Sequence, residues 1–87
     1  MKSKSTNLNR VSEKEQLEAV KQNGNAIKHI NNPSEAVQLE AVKQYGYAIH
    51  YILNKRIWPS SPVMLAAVKQ NQEAIKWIAN PMLAWGK

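Results

Sequence analysis

The sequence contains no cysteine and no aspartate, and both absences restrict what the protein can do. Without cysteine, a disulfide framework and a thiolate metal site are both excluded. Without aspartate, six glutamates are the only acidic side chains, and twelve lysines and arginines give a formal net charge of +6. Long apolar runs are also missing, so the sequence predicts no membrane-spanning segment and no membrane partner.

The length and the amino terminus indicate the general kind of protein. A chain of 87 residues has room for one domain with a thin core, and such domains are only marginally stable. Residues 1–6 form a polar tail, and the start lacks the hydrophobic segment of a signal peptide. We therefore expect a cytoplasmic protein with a single domain over residues 7–87.

The positive charge is concentrated in the second half of the chain. Beyond Glu40 the only acidic residue is Glu73. The basic residues in this half are Lys43, Lys55, Arg56, Lys69, Lys76 and Lys87. A basic half favours an anionic partner, either nucleic acid or the acidic face of another protein. The alternative interpretation is that these side chains serve only solubility.

An internal repeat is the strongest pattern in the sequence. The tetrapeptide Ala-Val-Lys-Gln begins at Ala19, Ala41 and Ala67, and each copy is followed by Ala-Ile and then a further Ile. A period of about two dozen residues is typical of solenoids, in which no unit can bury its apolar face alone. The aligned units are 12–33, 34–59 and 60–81.

Each unit predicts a hairpin of two helices. Ser12 and Glu15 fit a capping box at the start of the first helix. The serines at the same cap position of the other units are Ser34 and Ser60. We expect this helix to run for about ten residues. It should stop at Gly24 in the first unit and at Gly46 in the second, where glycine can adopt the left-handed conformation.

The second helix of each unit should be short. We expect about six to eight residues, for example 25–31 in the first unit, and so short a helix would be unstable in isolation. In the first and third units it should end where Asn32 and Asn80 precede proline, because the residue before proline is pushed out of the helical region.

The apolar positions that are identical in all three units predict the core. They are Leu17, Val20, Ala26, Ile27 and Ile30, then Leu39, Val42, Ala48, Ile49 and Ile52, then Leu65, Val68, Ala74, Ile75 and Ile78. The repeated alanines Ala19, Ala41 and Ala67 should keep neighbouring helices close. Residues at the two ends should cover the open core, Leu8 and Val11 on one side and Met82, Leu83 and Trp85 on the other. The predicted fold is all-α, a short α-solenoid of three helical-hairpin repeats with partial capping repeats at 7–11 and 82–87.

The string Asn-Pro-Ser-Glu-Ala-Val-Gln-Leu-Glu-Ala-Val-Lys-Gln-Tyr-Gly-Tyr-Ala-Ile-His-Tyr-Ile, from Asn32 to Ile52, resembles the short bacterial and phage repeat family catalogued as domain of unknown function 4116. The resemblance extends over nearly the whole chain beyond the first six or so residues. It implies tandem short α-helical hairpins and occurrence in bacteria and their phages, but it carries no agreed activity and no functional residues. The insertion from Lys55 to Trp58 and the replacement of glycine by Gln72 depart from the regular unit.

Few residues could support catalysis. Acid–base pairs would have to come from six glutamates, most of them at exposed positions of the first helices. A pair of serine with His29 or His50 is the arrangement left open, but each serine that begins a unit already has a capping role. The sequence has no phosphate-binding glycine loop and no histidine pair at metal-ligand spacing. We predict a protein that is not an enzyme and needs no cofactor or metal.

Lysine is repeated together with the core, at Lys21, Lys43 and Lys69. Stacked units would place these side chains in a row near the ends of the first helices. One interpretation is a basic stripe for phosphates. The other, which we favour, is a local role: a lysine opposes the negative partial charge of a helix carboxyl end, and its stem covers apolar surface.

Positions that differ between the units are more informative about recognition. All three tyrosines fall in the middle unit, close to the inserted segment. The candidate partner-binding residues are Tyr45, Tyr47, His50, Tyr51, Lys55, Arg56 and Trp58. Tyrosine, tryptophan and arginine are enriched in binding hot spots, and aromatic residues with basic ones also suit single-stranded nucleic acid. The alternative is that Tyr51 and Trp77 pack on the neighbouring unit and that Trp58 covers a groove opened by the insertion.

These patterns lead to three functional hypotheses. The first is a non-catalytic module that binds another protein through the middle unit; the resemblance and the small size suggest a stoichiometric inhibitor, for example of a host defence system. The second is a nucleic-acid-binding protein that uses the basic, aromatic surface. The third is a structural module that stacks end to end through Leu8 or Trp85.

Overall fold

A computed structural model describes residues 11–80 and residue 82. Every regular element in this part of the chain is helical, which confirms the all-α prediction. The elements are α1 (Glu13–Gln22), a 3₁₀ helix (Gly24–His29), α2 (Glu35–Gln44), α3 (Ala48–Asn54), α4 (Ser61–Gln70) and α5 (Ala74–Ala79). Long helices of 10 residues therefore alternate with short ones of six or seven. None of these helices is long and apolar enough to cross a bilayer.

Serine caps begin the first two long helices, as the sequence predicts. Ser12 Oγ accepts a hydrogen bond from the Glu15 N–H at 3.2 Å, and Glu15 Oε1 accepts one from the Ser12 N–H at 3.4 Å. This reciprocal pair is the predicted capping box. At the start of α2, Ser34 Oγ accepts a hydrogen bond from the Val37 N–H at 3.3 Å.

Serine hydroxyls also tie each long helix to the preceding one. Ser34 Oγ donates to Glu13 Oε2 at 2.6 Å, and Ser60 Oγ donates to Glu35 Oε2 at 2.9 Å. The two bonds join equivalent positions of successive repeats. Ser60 occupies the N-cap position of α4, but unlike Ser34 it accepts no capping hydrogen bond from the helix that it begins.

The helices are arranged in two rows. In one row α1 contacts α2, and α2 contacts α4, so the long helices are neighbours in chain order. In the other row the 3₁₀ helix contacts α3, and α3 contacts α5. The buried apolar side chains come from both rows and form one cluster.

Most of the predicted core is confirmed. The buried members are Val20, Ile27, Ile30, Val42, Ala48, Ile49, Ile52 and Ala74, and those partly buried against them are Leu17, Ala26, Leu39, Val68 and Ile78. Val37 and Val63 are buried as well. The core prediction used only positions that are identical in all three units. It therefore left these two out, because the first unit has Glu15 at the same register, where it forms part of the capping box.

The third unit contains two predicted core residues that are exposed. Leu65 is 65% exposed and Ile75 is 58% exposed, so these predictions are wrong. The physical reason is that α2 and α3 have neighbouring helices on both sides, whereas the described contacts of α4 and α5 lie on one side only. Met82, predicted to cover this end, is 69% exposed, which also contradicts the prediction. Val11 is half-buried, while Leu8, Leu83 and Trp85 lie outside the described residues.

The glycines that follow the long helices serve a different purpose from the predicted one. Neither Gly24 nor Gly46 has φ in the left-handed region. Instead, a Cβ at Gly24 would lie 2.7 Å from Tyr45 Cβ and 2.8 Å from the Ala41 carbonyl oxygen. A Cβ at Gly46 would lie 2.7 Å from the Ala67 carbonyl oxygen. Glycine is therefore required because the next long helix approaches its backbone closely.

The short helices differ from one another. The first is a 3₁₀ helix that begins at Gly24 and ends at His29, rather than the predicted helix over 25–31. Its first turn is fixed by Asn23, whose Oδ1 accepts a hydrogen bond from the Asn25 N–H at 2.9 Å. In the second unit α3 ends at Asn54, and Arg56 follows with a φ of 64°.

Candidate protein-binding surface

Five ring-bearing side chains of the second and third units form a connected group, which we call the aromatic cluster: Tyr45, Tyr47, His50, Tyr51 and Trp77. The ring centroids of Tyr45 and Tyr47 are 6.1 Å apart, and Tyr47 meets Trp77 edge to face at 5.6 Å. His50 makes edge contacts with Trp77 at 4.5 Å and with Tyr51 at 5.5 Å. All five are half-buried. The cluster is therefore ordered by its own contacts while it still reaches the solvent.

The turn that carries Tyr45 and Tyr47 is fixed by the following unit. Gly46, between the two tyrosines, packs against Ala67 and donates its N–H to Gln70 Oε1 at 2.5 Å. Tyr45 is the C-cap residue of α2, and its N–H donates to the Ala41 carbonyl at 2.9 Å. The two tyrosines are therefore presented by a rigid turn that α4 supports.

His50 and Trp77 form the closest contact within the aromatic cluster. Burial lowers the pKa of His50 below its usual 6.5, so the imidazole is predominantly neutral at pH 7. The Trp77 Nε1 is buried and has no hydrogen-bond partner. Lys76 Nζ lies 5.5 Å from the centroid of the Trp77 ring, within cation–π range. The positive charge of Lys76 therefore lies beside the pair of His50 and Trp77, which is itself predominantly uncharged.

The inserted segment forms a second feature, which we call the Trp58 loop and define as residues 55–58. At its start, Lys55 Nζ donates to the Lys28 carbonyl of the first unit at 3.1 Å. Burial lowers the pKa of the Lys55 ammonium, which is half-buried at this junction. The Ile57 side chain packs against the core, and Pro59 is buried after it. Trp58, in contrast, is 57% exposed.

The exposure of Trp58 decides between two interpretations of the insertion. A side chain that covered a groove would be buried, so the interpretation of Trp58 as a groove cover is wrong. Ile57 packs against the core instead, and Trp58 is largely exposed. Arg56 is exposed beside it and has the left-handed backbone described above.

The candidate residues fall into two groups. Tyr45, Tyr47, His50 and Tyr51 lie together in the aromatic cluster. Lys55, Arg56 and Trp58 lie in the Trp58 loop, and Trp58 makes no ring contact with another described residue. Packing of Trp77 on the neighbouring unit is the alternative interpretation given above, and its contacts with Tyr47 and His50 confirm it. The same contacts make it part of the candidate surface, which the sequence reasoning did not anticipate.

The repeated lysines lie where the sequence placed them. Lys21, Lys43 and Lys69 are all exposed in the last turns of α1, α2 and α4. Each therefore lies near a helix carboxyl end, where a positive charge is favourable by about 0.3–1 kcal/mol. This placement is the one that the local role requires, and the basic stripe for phosphates stays a prediction.

Among residues 11–80 and 82, no group of three or more His, Cys, Asp or Glu side chains could hold a metal ion. Comparison with protein-family models, with curated proteins and with solved structures returned no match to this chain.

Proposed function

We propose that this chain is a non-catalytic module that binds another protein through the aromatic cluster and the Trp58 loop. The observation that carries the proposal is the 57% exposure of Trp58 on a loop that Lys55 and Ile57 anchor on either side of Arg56. An exposed indole on a fixed loop loses little conformational freedom on binding, because the loop is already ordered. Tryptophan is also among the residues that contribute most to protein–protein affinity.

The proposed framework is a short α-solenoid of three hairpin units with partial capping repeats at both ends. Two kinds of contact support it, since each recurs at the same register between successive units. One is the hydrogen bond from a serine to a glutamate of the preceding unit, at Ser34 and Ser60. The other is the close approach of Gly24 and Gly46 to the next long helix. Recurrent contacts between neighbours are what stacking of repeats requires.

We propose that the partner presents an acidic surface. Arg56 and Lys76 place positive charge beside Trp58 and Trp77, and no acidic residue lies between Glu40 and Glu73 in the sequence. Complementary charge at such a rim would raise the association rate and orient the partner.

The resemblance to the bacterial and phage repeat family extends this proposal. We propose that the chain acts in the cytoplasm of a bacterial cell as a small stoichiometric inhibitor, for example of a host defence system.

Nucleic acid is the second candidate, and the ring geometry argues against it. Single-stranded nucleic acid stacks on exposed aromatic faces. In the aromatic cluster, Tyr47, His50, Tyr51 and Trp77 meet edge to face, so each edge contact covers part of a ring face. Among the described tyrosine and tryptophan side chains, only Trp58 offers a largely exposed ring, and a single stacking site of this kind gives weak binding.

End-to-end self-association is the third candidate. Stacking of another copy on the third unit with the same geometry would require glycine where Gln72 stands. A Cβ at the equivalent Gly46 would already lie 2.7 Å from the Ala67 carbonyl. The side chain of Gln72 would therefore obstruct a fourth unit, which argues against this mode at that end.

Affinity capture with matched variants tests the proposal. The full chain, immobilised, is exposed to bacterial lysate with and without nuclease treatment, in parallel with Trp58→Ala, Tyr47→Ala and the control Lys21→Ala. We expect the wild-type chain and the control to retain the same protein, and the two aromatic variants to lose it. Loss of retention after nuclease treatment alone would favour nucleic acid, and equal retention by all four proteins would show that the surface is wrong.

A further inference from the structure

A shallow groove lies between the last turn of α2 and the outer side of α4. It has a volume of about 560 Å³ and is lined by Lys43, Pro62, Leu65, Ala66, Lys69 and Gln70. Its centre is apolar, because Pro62, Leu65 and Ala66 are neighbours along one side of the helix. One lysine from each helix contributes to the lining, and none of the lining residues is acidic.

The α4 side of the groove differs in composition from the equivalent parts of α1 and α2. The position of Ala66 corresponds to Glu18 in α1 and Glu40 in α2. In those helices the glutamate precedes Lys21 or Lys43 by three residues, a spacing at which opposite charges attract on a helix surface. In α4 the carboxylate is replaced by a methyl group, and the whole helix lacks acidic residues. The charge of Lys69 is therefore not offset by a carboxylate on its own helix.

The apolar residues of the groove are also unusually accessible. Leu65 is 65% exposed, whereas its counterparts Leu17 and Leu39 are partly buried against the core. An exposed leucine beside two lysines contributes little burial to the described fold. Ligand sites of this kind combine an apolar contact with a few placed charges.

From this arrangement we infer that the groove between α2 and α4 binds an acidic peptide segment of a partner protein, with an apolar side chain against Leu65 and Ala66 and carboxylates on Lys43 and Lys69. The charges in the lining are all positive, so an anionic segment is the complementary occupant. A peptide is favoured over nucleic acid because the centre of the groove is aliphatic and offers no aromatic ring for a base. The lining residues are distinct from the Trp58 loop, so this inference does not depend on the function proposed above.

Nuclear magnetic resonance titration of the isotope-labelled full chain tests the inference and locates the site. The probe is the heptapeptide Gly-Glu-Glu-Leu-Glu-Glu-Gly with blocked ends, at low ionic strength. We expect saturable shifts in the amide signals of α4 and of the last turn of α2. A matched probe with serine in place of leucine should bind at least about fivefold more weakly, since the apolar contact is lost.

Variants of the exposed lining residues provide the controls. Lys69→Gln should weaken the probe about two- to fivefold, the range for one exposed ion pair. Ala66→Glu, which restores the carboxylate found in the other two long helices, should remove saturable binding by repulsion and by filling the centre of the groove. Lys21→Gln, the equivalent change on α1, should leave the affinity unchanged.

Three results of the peptide titrations would overturn the inference. They are no saturable shifts in α2 or α4, equal binding of the serine probe, or equal effects of Lys21→Gln and Lys69→Gln. A thymidine oligonucleotide that produced the same shifts at lower concentration than the peptide would also overturn it, because the lysines would then serve phosphates. The amide spectrum of each variant, compared with that of the wild-type chain, verifies that the fold is retained.

Discussion

Replacement of Gly46 by alanine is expected to destabilise the protein, although alanine usually favours folded structure. Because φ at Gly46 is not in the left-handed region, alanine could adopt the backbone conformation and would lower the entropy of the unfolded chain. That gain is about 0.4–1 kcal/mol. It is opposed by contacts of the new Cβ at 2.7 Å from the Ala67 oxygen, 2.8 Å from Gln70 Oε1 and 2.9 Å from Asn71 Cβ.

The contacts decide the sign of the effect. Distances below 3.0 Å require something to move, and two of the three atoms belong to or adjoin the backbone of the following unit. Overpacking of this kind costs about 1–3 kcal/mol. Displacement of Gln70 would also remove its hydrogen bond to the Gly46 N–H, a further loss of about 0.5–1.5 kcal/mol. The net expectation is a decrease of about 1–3 kcal/mol in the free energy of unfolding.

Urea unfolding followed by circular dichroism measures this change. In thermal unfolding of a domain of this size, a decrease of 1 kcal/mol in the free energy of unfolding corresponds to a fall of about 4–8 °C in Tm. Gln72→Ala is the matched control, since Gln72 stands at the equivalent position of the third unit and is exposed. It should change the free energy of unfolding by less than about 0.5 kcal/mol. If Gly46→Ala is neutral or stabilising, the close approach of the helices is not what requires glycine.

Three further predictions concern the caps, the histidine and the inserted loop. Ser34→Ala removes a capping bond to Val37 and should cost about 1 kcal/mol, whereas Ser60→Ala removes no capping bond and should cost less; equal costs in thermal unfolding would contradict the assignment of caps. Burial lowers the pKa of His50, so the unfolded chain binds its proton first, and the free energy of unfolding should fall as pH decreases through 6.5 until the folded-state pKa is reached. His50→Gln should flatten this dependence in urea unfolding between about pH 5 and 8, and an unchanged slope would refute the role of His50. Arg56 has a φ of 64°, so Arg56→Gly should be more stable than Arg56→Ala by about 1 kcal/mol, and the reverse order of Tm would refute the left-handed backbone.

The sequence predicts the helices and most of the core because the same choices recur in each unit. The capping box at Ser12, the serine at Ser34 and the apolar positions identical in all units are local signals. The failures concern contacts between units. Leu65 and Ile75 match the repeat but are exposed, since their burial depends on which neighbours a unit has. A periodic sequence pattern carries no information about which helices lie beside a given unit.

The glycines illustrate the same limit. Gly24 and Gly46 were correctly placed at the ends of long helices, but the reason for glycine was wrong. A left-handed cap can be inferred from one segment of sequence. The close approach of the next helix cannot be inferred in this way, because it brings together residues about two dozen positions apart in the sequence.

The candidate surface was predicted in part. The tyrosines and His50 of the middle unit were identified because they differ from their counterparts in the other units. Trp77 could have been added, since it occupies the register of Tyr51 and a side chain at that register lies beside the preceding unit. The outward direction of Trp58 depends on the burial of Ile57 and Pro59, and the order of these residues in the sequence does not fix it.

The most direct test of the protein-binding proposal is the affinity of Trp58→Ala for the purified protein that the wild-type chain captures. The substitution should leave Tm nearly unchanged, because Trp58 is 57% exposed. Truncation of a tryptophan hot spot costs about 2 kcal/mol or more, so titration calorimetry should give a Kd at least about 30-fold higher than that of the wild-type chain. A Kd equal to the wild-type value, with the fold intact, would contradict the proposal that this loop is the binding surface.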